Sequence, residues 1–418
     1  MHKVVEKYII ENNLNNEAEV WPLLKYRMTR NVTLSKGVED MEFVSKSYVT
    51  LFIFLVISII NLLRVRFRKK TTAYFGAFSR VSISEGIIYD EFVSVEKQQN
   101  ICTLYHCSNF EKLEILTCFK RGVIFENLIV KLLCLFIKGS SDNKSAPLLS
   151  EGFFNLLNQE YGVSKHEILG ILLDYESKKA SYKLLLKWLG VLKVDIVSAY
   201  TKPAIVSAAN ELGIITLEYQ HGLLAPYHPS YHYTGQELWR SSMLPTRLKL
   251  YSRFWQIKMC GANFIKKDAI ELEQALPQVS DYVKKQIFTQ IGSDKFFIFT
   301  GQGLCYSEVS KFVVDVLEKY PDYIFIYRPH PREFQNYYQL SAKVDNVRFK
   351  IINRKEHQDT LTLIAASKAH FSIFSSCHFE AVELLGRTYV LDIIENNIMK
   401  VTDDKNIIFI TNASQFQA

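Results

Sequence analysis

The chain lacks most of the short motifs that mark nucleotide-hydrolysing and hydrolytic enzymes. Across its 418 residues there is no G-x-x-x-x-G-K-[ST] loop, no H-E-x-x-H, no G-x-S-x-G and no G-x-G-x-x-G opening a first strand. Glycine (17) and proline (10) are too sparse for a fibrous repeat or a disordered tail, and no internal repeat suggests a solenoid. Cysteine is scarce and unpatterned: seven residues, an odd number with no C-x-x-C pair, which points to a reducing compartment. The start, Met1-His2-Lys3-Val4-Val5-Glu6-Lys7, has no apolar core of a secretory signal, so a cytoplasmic location is expected.

Charge of one sign is also scarce. The net charge of +7 is modest for this length, and Lys and Arg are dispersed among acidic residues, which argues against a nucleic-acid partner. A mild basic excess suits anionic phosphate ligands or an anionic membrane surface equally well. The membrane question is concentrated in Tyr48 to Leu63, almost wholly apolar and followed at once by Arg64, Arg66, Arg68, Lys69 and Lys70. The run is shorter than the roughly 20 residues of a spanning helix. A buried helix is the leading expectation, with contact between residues 48–70 and the inner face of the cytoplasmic membrane as the alternative.

What the chain does contain is enough sequence for two hydrophobic cores. From Lys187 onward, short apolar runs alternate with helical stretches: 194–200, a helix over 202–212, then 214–219, with Gly213 at the helix stop. The rhythm resumes with strands at 296–300, 323–327, 347–352, 369–374, 388–392 and 407–410, separated by helices at 307–319, 360–366 and 378–385. Continuous apolar strands alternating with helices imply parallel sheets covered on both faces. The expected fold is therefore α/β, two Rossmann-like domains facing a cleft, with an N-terminal domain over 1–245 and a C-terminal one over 246–418. Further strands are expected at 73–78 and 86–90, and an amphipathic helix at 123–137.

Ligands of doubly wound sheets bind beyond the C-terminal strand ends, so the residues there are the functional candidates. Arg328-Pro329-His330-Pro331 sets a rigid histidine beside a planar fork of donors suited to phosphate. Ser375 and Ser376 open a helix, where hydroxyls and backbone N–H groups make an anion site, and Glu380 one turn later can accept from ribose hydroxyls. Gly301-Gln302-Gly303 lets backbone approach a phosphate closely. In the first half, Glu218-Tyr219-Gln220-His221 closes a strand ahead of His228 and His232; His221 suits a general base, and metal binding by His221, His228 and His232 is the rival reading. No apolar strand closes on D-x-D, which argues against a metal-carried donor, so neither metal nor cofactor is expected.

In order and spacing, E-Y-Q-H-G (218–222), G-Q-G (301–303), R-P-H-P (328–331) and S-S-x-x-x-E-A-x-x-L-L-G (375–386) resemble bacterial surface-polysaccharide glycosyltransferases of the GT-B type. The pattern is similar to that of polysialyltransferases, Kdo transferases and teichoic-acid glycerophosphotransferases. The resemblance implies a nucleotide-sugar donor, CMP-linked, and a lipid-linked glycan acceptor of the lipopolysaccharide or capsule kind. It places His330 and Pro331 at the donor phosphate, Ser375 and Ser376 beside it, Glu380 near the ribose, and His221 on the acceptor side; Glu218 is the catalytic candidate with His221, and Gln220, His228 and His232 are the acceptor-side candidates. A nucleotide-sugar 2-epimerase of the same twin-domain plan, or a non-catalytic glycan-binding protein, are the alternatives.

Overall fold

The computed structural model describes residues 2–34, 48–67, 70–77, 82–84, 87–89, 101–106, 115–140, 147–220, 224, 228–235, 237–250, 252–259, 262–272, 279–330, 333, 338–344, 346–352, 360–394, 399 and 404–417. The chain divides into two units, the first made of Met1–His221, Tyr227–Lys249 and Gly261–Glu271, the second of Gly222–Pro226, Leu250–Cys260 and Leu272–Ala418. The chain leaves the first unit after Lys249. The chain then crosses back once to add an edge strand to the first sheet.

In the first unit the elements are α1 (His2–Glu11), α2 (Asn15–Leu34), α3 (Tyr48–Phe67), β1 (Thr72–Ala77), β2 (Ser82–Ser84), β3 (Ile87–Tyr89), β4 (Ile101–His106), α4 (Ile115–Lys120), β5 (Ile124–Phe125), α5 (Glu126–Ser140), α6 (Glu151–Tyr161), α7 (Lys165–Leu189), β6 (Lys193–Val197), α8 (Pro203–Glu211), β7 (Ile215–Tyr219) and β8 (Arg247–Leu250), with β9 (Ile270–Leu272) at the edge. The sheet order is β5-β4-β1-β6-β7-β8-β9, and the pairs from β5 through β8 are parallel. The chain thus winds outward on one side of β1 and resumes on the other at β6, the doubly wound plan. The expected 86–90 strand forms instead an antiparallel pair of β2 with β3, outside the main sheet. Local signals set the helix ends: Ser164 and Glu167 form a reciprocal capping box at the start of α7, and Gly213 takes the left-handed φ of 70° expected after α8.

The apolar run folds as α3, but it is not a buried helix. Only Phe54, Ile57, Ser58 and Asn61 are buried, whereas Val49, Phe52, Val56, Ile60, Leu63 and Phe67 stand exposed at helical spacing. The two polar members of the buried stripe tie the helix sideways to the sheet: Ser58 Oγ accepts from Phe125 N (3.0 Å), and Asn61 Nδ2 donates to Val123 O (2.9 Å). Such ties fix α3 along the surface of the unit, with one apolar face outward.

The helices α1 and α2 clasp the segment 228–243. Lys25 Nζ lies 2.6 Å from Glu6 Oε1 with side chains only 3% and 2% exposed, and it donates to His232 O at 2.6 Å. Glu6 also accepts from Trp21 Nε1 and from Thr234 N and Oγ1. Burial works against the charge on Glu6, but Lys25 and these donors hold its carboxyl below the ordinary value. Removing one partner of a buried ion pair leaves an uncompensated charge costing about 3–5 kcal/mol. Lys25→Met is therefore expected to lower urea-unfolding stability by about that amount; a loss below about 1 kcal/mol would show that the clasp is dispensable.

The second unit contains α9 (Arg253–Lys258), α10 (Asp281–Ile291), β10 (Phe296–Thr300), α11 (Tyr306–Lys319), β11 (Ile324–Arg328), α12 (Tyr338–Lys343), β12 (Phe349–Ile351), α13 (Thr360–Ala366), β13 (Ala369–Ser372), α14 (Cys377–Leu385), β14 (Thr388–Leu391) and β15 (Ile407–Ile410). Its sheet runs β12-β11-β10-β13-β14-β15, all parallel. The unbroken apolar string of β10 follows from burial on both faces. Phe297 and Phe299 pack with Val309, Phe312, Val313 and Val316 of α11, while Phe296 and Ile298 pack with Ile287 and Ile291 of α10 and Leu363 and Ile364 of α13.

Candidate functional site

The winding reverses between β10 and β13 in the second sheet, and there the loops leaving the two strands diverge. They remain joined by side chains. Ser372 Oγ lies 2.6 Å from Thr300 O and 2.8 Å from Gln302 Oε1, and Phe374 N donates to the same Gln302 oxygen at 3.2 Å. Gln302 thus bridges the glycine turn and the approach to Ser375. The turn itself is bent by left-handed residues, Gly303 at φ 74° and Cys305 at φ 52°. The latter is a conformation that non-glycine residues adopt rarely and at a cost.

Gly301 is required by its neighbours. A Cβ there would sit 2.5 Å from Tyr327 Cζ and 2.6 Å from Glu333 Oε2. Glu333, which the sequence did not single out, organises this corner: Oε1 accepts from Tyr327 Oη (2.5 Å) and Tyr306 Oη (2.7 Å), and Oε2 from His330 N (2.9 Å). Glu333 N donates back to His330 O at 2.8 Å, closing the turn. One carboxylate therefore fixes the β10 loop, the start of α11 and the backbone of His330. The sequence offers a weak trace of it, an acid two residues after the second proline of the R-P-H-P turn.

The expected donor residues separate into two kinds. His330 is exposed at the end of β11. Arg328 is only 3% exposed, and its Nη1 donates to Ile352 O (3.2 Å) and its Nε to Thr360 Oγ1 (3.4 Å). At least two of its donors thus brace the ends of β11, β12 and α13. Pro331 lies outside the described residues. Ser376 begins α14 without a side-chain cap, leaving its hydroxyl uncommitted to the helix. Ser375 Oγ accepts from Cys377 N at 3.2 Å, and the next N–H groups close tight bonds to Ser375 O and Ser376 O. The expected array of free N–H groups is therefore internally engaged, and an anion would have to compete with Ser375 Oγ for Cys377 N.

Behind α14 lies a buried relay in which His370 Nε2 bonds Thr300 Oγ1 (2.9 Å), His370 Nδ1 bonds Thr388 Oγ1 (2.7 Å), and Thr388 Oγ1 bonds His378 Nδ1 (2.8 Å). Burial holds both imidazoles neutral, pushing His378 down to about 3. Burial also raises the Glu380 carboxyl to about 8, helped by the nearby Glu383. At neutral pH Glu380 thus carries its proton, with the side chain only 5% exposed.

In the first unit, Glu218 is 1% exposed at the end of β7, and its Oε1 accepts from Ala199 N (3.0 Å) and Tyr231 Oη (2.7 Å). Burial raises its carboxyl to about 7. It positions the turn after β6. Gln220 is buried, its N–H bonded to Lys249 O at 3.0 Å. His228 meets the Tyr200 ring edge-on and the Tyr231 ring at a tilt, and burial lowers it to about 4; His232 is likewise lowered by burial and sits in the Lys25 clasp. The histidine-rich window is thus explained by packing at His228 and His232, while His221 lies outside the described residues. Among the described residues no three His, Cys, Asp or Glu side chains gather as a metal set.

The class defined by these observations is a chain of two doubly wound α/β units, the second with its winding reversed between β10 and β13. No protein-family profile matches the chain, and no curated protein sequence matches it significantly. Among solved structures it is similar to UDP-GlcNAc 2-epimerase from Methanocaldococcus jannaschii (11% identity, 81% of this chain and 88% of that one, TM-score 0.40). It is likewise similar to the UDP-GlcNAc 2-epimerase of Neisseria meningitidis bound to UDP-GlcNAc (14%, 82% and 87%, 0.40) and to MurG of Acinetobacter baumannii (11%, 83% and 87%, 0.42). Overlaps this loose do not reach substrate or activity; the fold is defined by the strand orders above.

A buried carboxyl with a raised pKa contributes stability that is complete below the unfolded value near 4.5 and lost as pH rises through about 8. Glu380→Gln removes that loss. Its thermal midpoint relative to the parent is expected to rise steadily between pH 5 and 8 and then level off; a pH-independent difference would contradict the protonated assignment.

Proposed function

We propose that this chain is a glycosyltransferase that moves a sugar from a nucleotide-sugar donor, CMP-linked, to a hydroxyl of a lipid-linked surface glycan, without a metal. The supporting observation is the switch point of the second sheet, where the loops after β11, β10 and β13 lie side by side and carry His330, the Gly301–Gly303 turn and Ser375-Ser376. The departing nucleotide phosphate would be met by the Ser376 hydroxyl and the His330 imidazole, with Cys377 N reached only in competition with Ser375 Oγ, and Glu380 near the ribose. Arg328, Gln302 and Glu333 hold that frame without touching the ligand.

The reading also places the protein in the cytoplasm, on the inner face of the membrane. The outward face of α3 is a continuous apolar strip, with Arg66 in its last turn to meet lipid phosphates, while Arg64 is held on the Phe119 ring and carbonyl. Phe52→Glu with Val56→Glu is expected to abolish co-sedimentation with phosphatidylglycerol vesicles while leaving the melting temperature unchanged; retained binding would remove α3 as the contact.

Nucleotide choice is tested by a thermal-shift screen against CMP, CDP, UDP and GDP, since a ligand bound to the native state raises its midpoint. CMP is expected to give the largest shift. Charge-assisted hydrogen bonds are worth about 1.5–3 kcal/mol, so Ser376→Ala and His330→Ala should each weaken binding roughly ten- to a hundredfold. Intact binding in both variants would refute the site. Turnover of the donor without any acceptor would instead indicate an epimerase.

A further inference from the structure

In the second unit, α14 is fastened to the sheet by its first turn. His378, two residues beyond Ser376, is fully buried, and its ring meets polar side chains of the strands. They are Thr300 at the end of β10, His370 and Ser372 on β13, and Thr388 at the start of β14. Phe297, Phe299 and Phe371 pack toward α11, so Thr300, His370 and Ser372, alternating with them, lie on the opposite face of the sheet. All five polar side chains are buried, and every proton among them needs a partner within the set.

Burial keeps both imidazoles neutral, so each ring has one N–H and one bare nitrogen. Thr388 Oγ1 lies 2.7 Å from His370 Nδ1, 2.8 Å from His378 Nδ1 and 3.3 Å from His370 O, with a single proton to give. His378 Nε2 closes no hydrogen bond of ordinary geometry, but the Ser372 backbone favours a proton on this ring, the effect of a carbonyl acceptor. A proton on Nε2 faces that carbonyl, whereas a proton on Nδ1 would leave a buried lone pair turned toward it. His378 Nδ1 is then bare and accepts the Thr388 proton, across a shorter contact than the one to His370 O. His370 donates from Nδ1 to Thr388, and its bare Nε2 accepts from Thr300 Oγ1 at 2.9 Å. Ser372 Oγ donates to Thr300 O at 2.6 Å, the shorter of its two acceptor contacts, and closes a circuit.

The circuit runs from β10 through β13 and β14 into the first turn of α14 and back, and His378 is its one member on the helix. Its own N–H bonds Ser375 O (3.2 Å), and Phe379 N bonds Ser376 O (3.1 Å), so the two serines move with the His378 backbone. The neighbouring anchor, Phe379 against Phe254 and Trp255, is apolar; it presses the helix down without fixing its rotation. Hydrogen bonds are directional and supply what the apolar contact lacks. We propose that His378 is a positioning residue for the start of α14, setting the Ser376 hydroxyl and Cys377 N–H at the height and angle at which they meet a nucleotide phosphate. The inference rests on the reading that such a phosphate binds there. His378 itself touches no ligand and acts through Ser376.

NMR of the full chain labelled with 15N-histidine tests the circuit, with His370→Gln and His378→Gln identifying the two rings by loss of their signals. At neutral pH both rings are expected neutral, His370 protonated on Nδ1 and His378 on Nε2; a shared tautomer or a charged ring overturns the circuit. Calorimetry with cytidine and with CMP tests the positioning role. His378→Leu is expected to weaken CMP binding at least about tenfold and to leave cytidine within about twofold, because only the phosphate depends on the turn. His378→Asn, which keeps an acceptor near the place of Nδ1, should recover part of the loss, and it carries the same comparison if the leucine variant melts below the assay temperature. Equal losses for cytidine and CMP, or unchanged CMP affinity, overturn the role of His378 while leaving the proposed function standing. A parent chain that binds CMP no more tightly than cytidine overturns both.

Discussion

Everything proposed for the second unit depends on the parallel sheet reversing its winding beside β10. Parallel strands need a crossover for every connection, so two adjacent strands whose crossovers leave in opposite directions inevitably open a gap above their C-terminal ends. In this chain Gln302 and Ser372 span that gap and hold the departing loops at hydrogen-bond distance. The glycine turn and the segment leading to the serine pair are thus tied together by one amide.

A second consequence is that most polar groups around the gap are used for structure. Glu333 ties Tyr327, Tyr306 and the backbone of His330; His370 and His378 share Thr388; Arg328 reaches the backbone at Ile352. Buried polar groups without partners are costly, so a site assembled from loops needs such a scaffold before it can offer any group to a ligand. The Ser376 hydroxyl makes no cap to its helix, and the His330 side chain is exposed.

The second unit was legible because its strands are buried on both faces and its helices on one, which writes two different periods into the sequence. The strands of Phe296–Thr300, Ala369–Ser372 and Thr388–Leu391 fell where apolar runs indicated. The first unit was less legible. Its first helices are amphipathic only in partnership with the distant segment 228–243, through Glu6, Lys25 and Trp239, and no local period reports a contact of that sequence separation. The apolar run of α3 reads as core by composition, and only Ser58 and Asn61 mark the face that is attached. At the sites, strand-end position drew attention to Arg328, Gln302 and Glu218, whose side chains the structure shows bonded within the fold. It could not distinguish a residue that frames a pocket from one that faces it, because that depends on partners such as Glu333 and Tyr231 far from any motif.

The claim on which the account turns is that a nucleotide phosphate sits at the switch point of the second sheet. A crystal structure of the protein grown with CMP tests it most directly. The account predicts the phosphate within hydrogen-bond distance of the Ser376 hydroxyl, with the ribose next to Glu380. A nucleotide bound elsewhere, with Ser376 and His330 untouched, would contradict it.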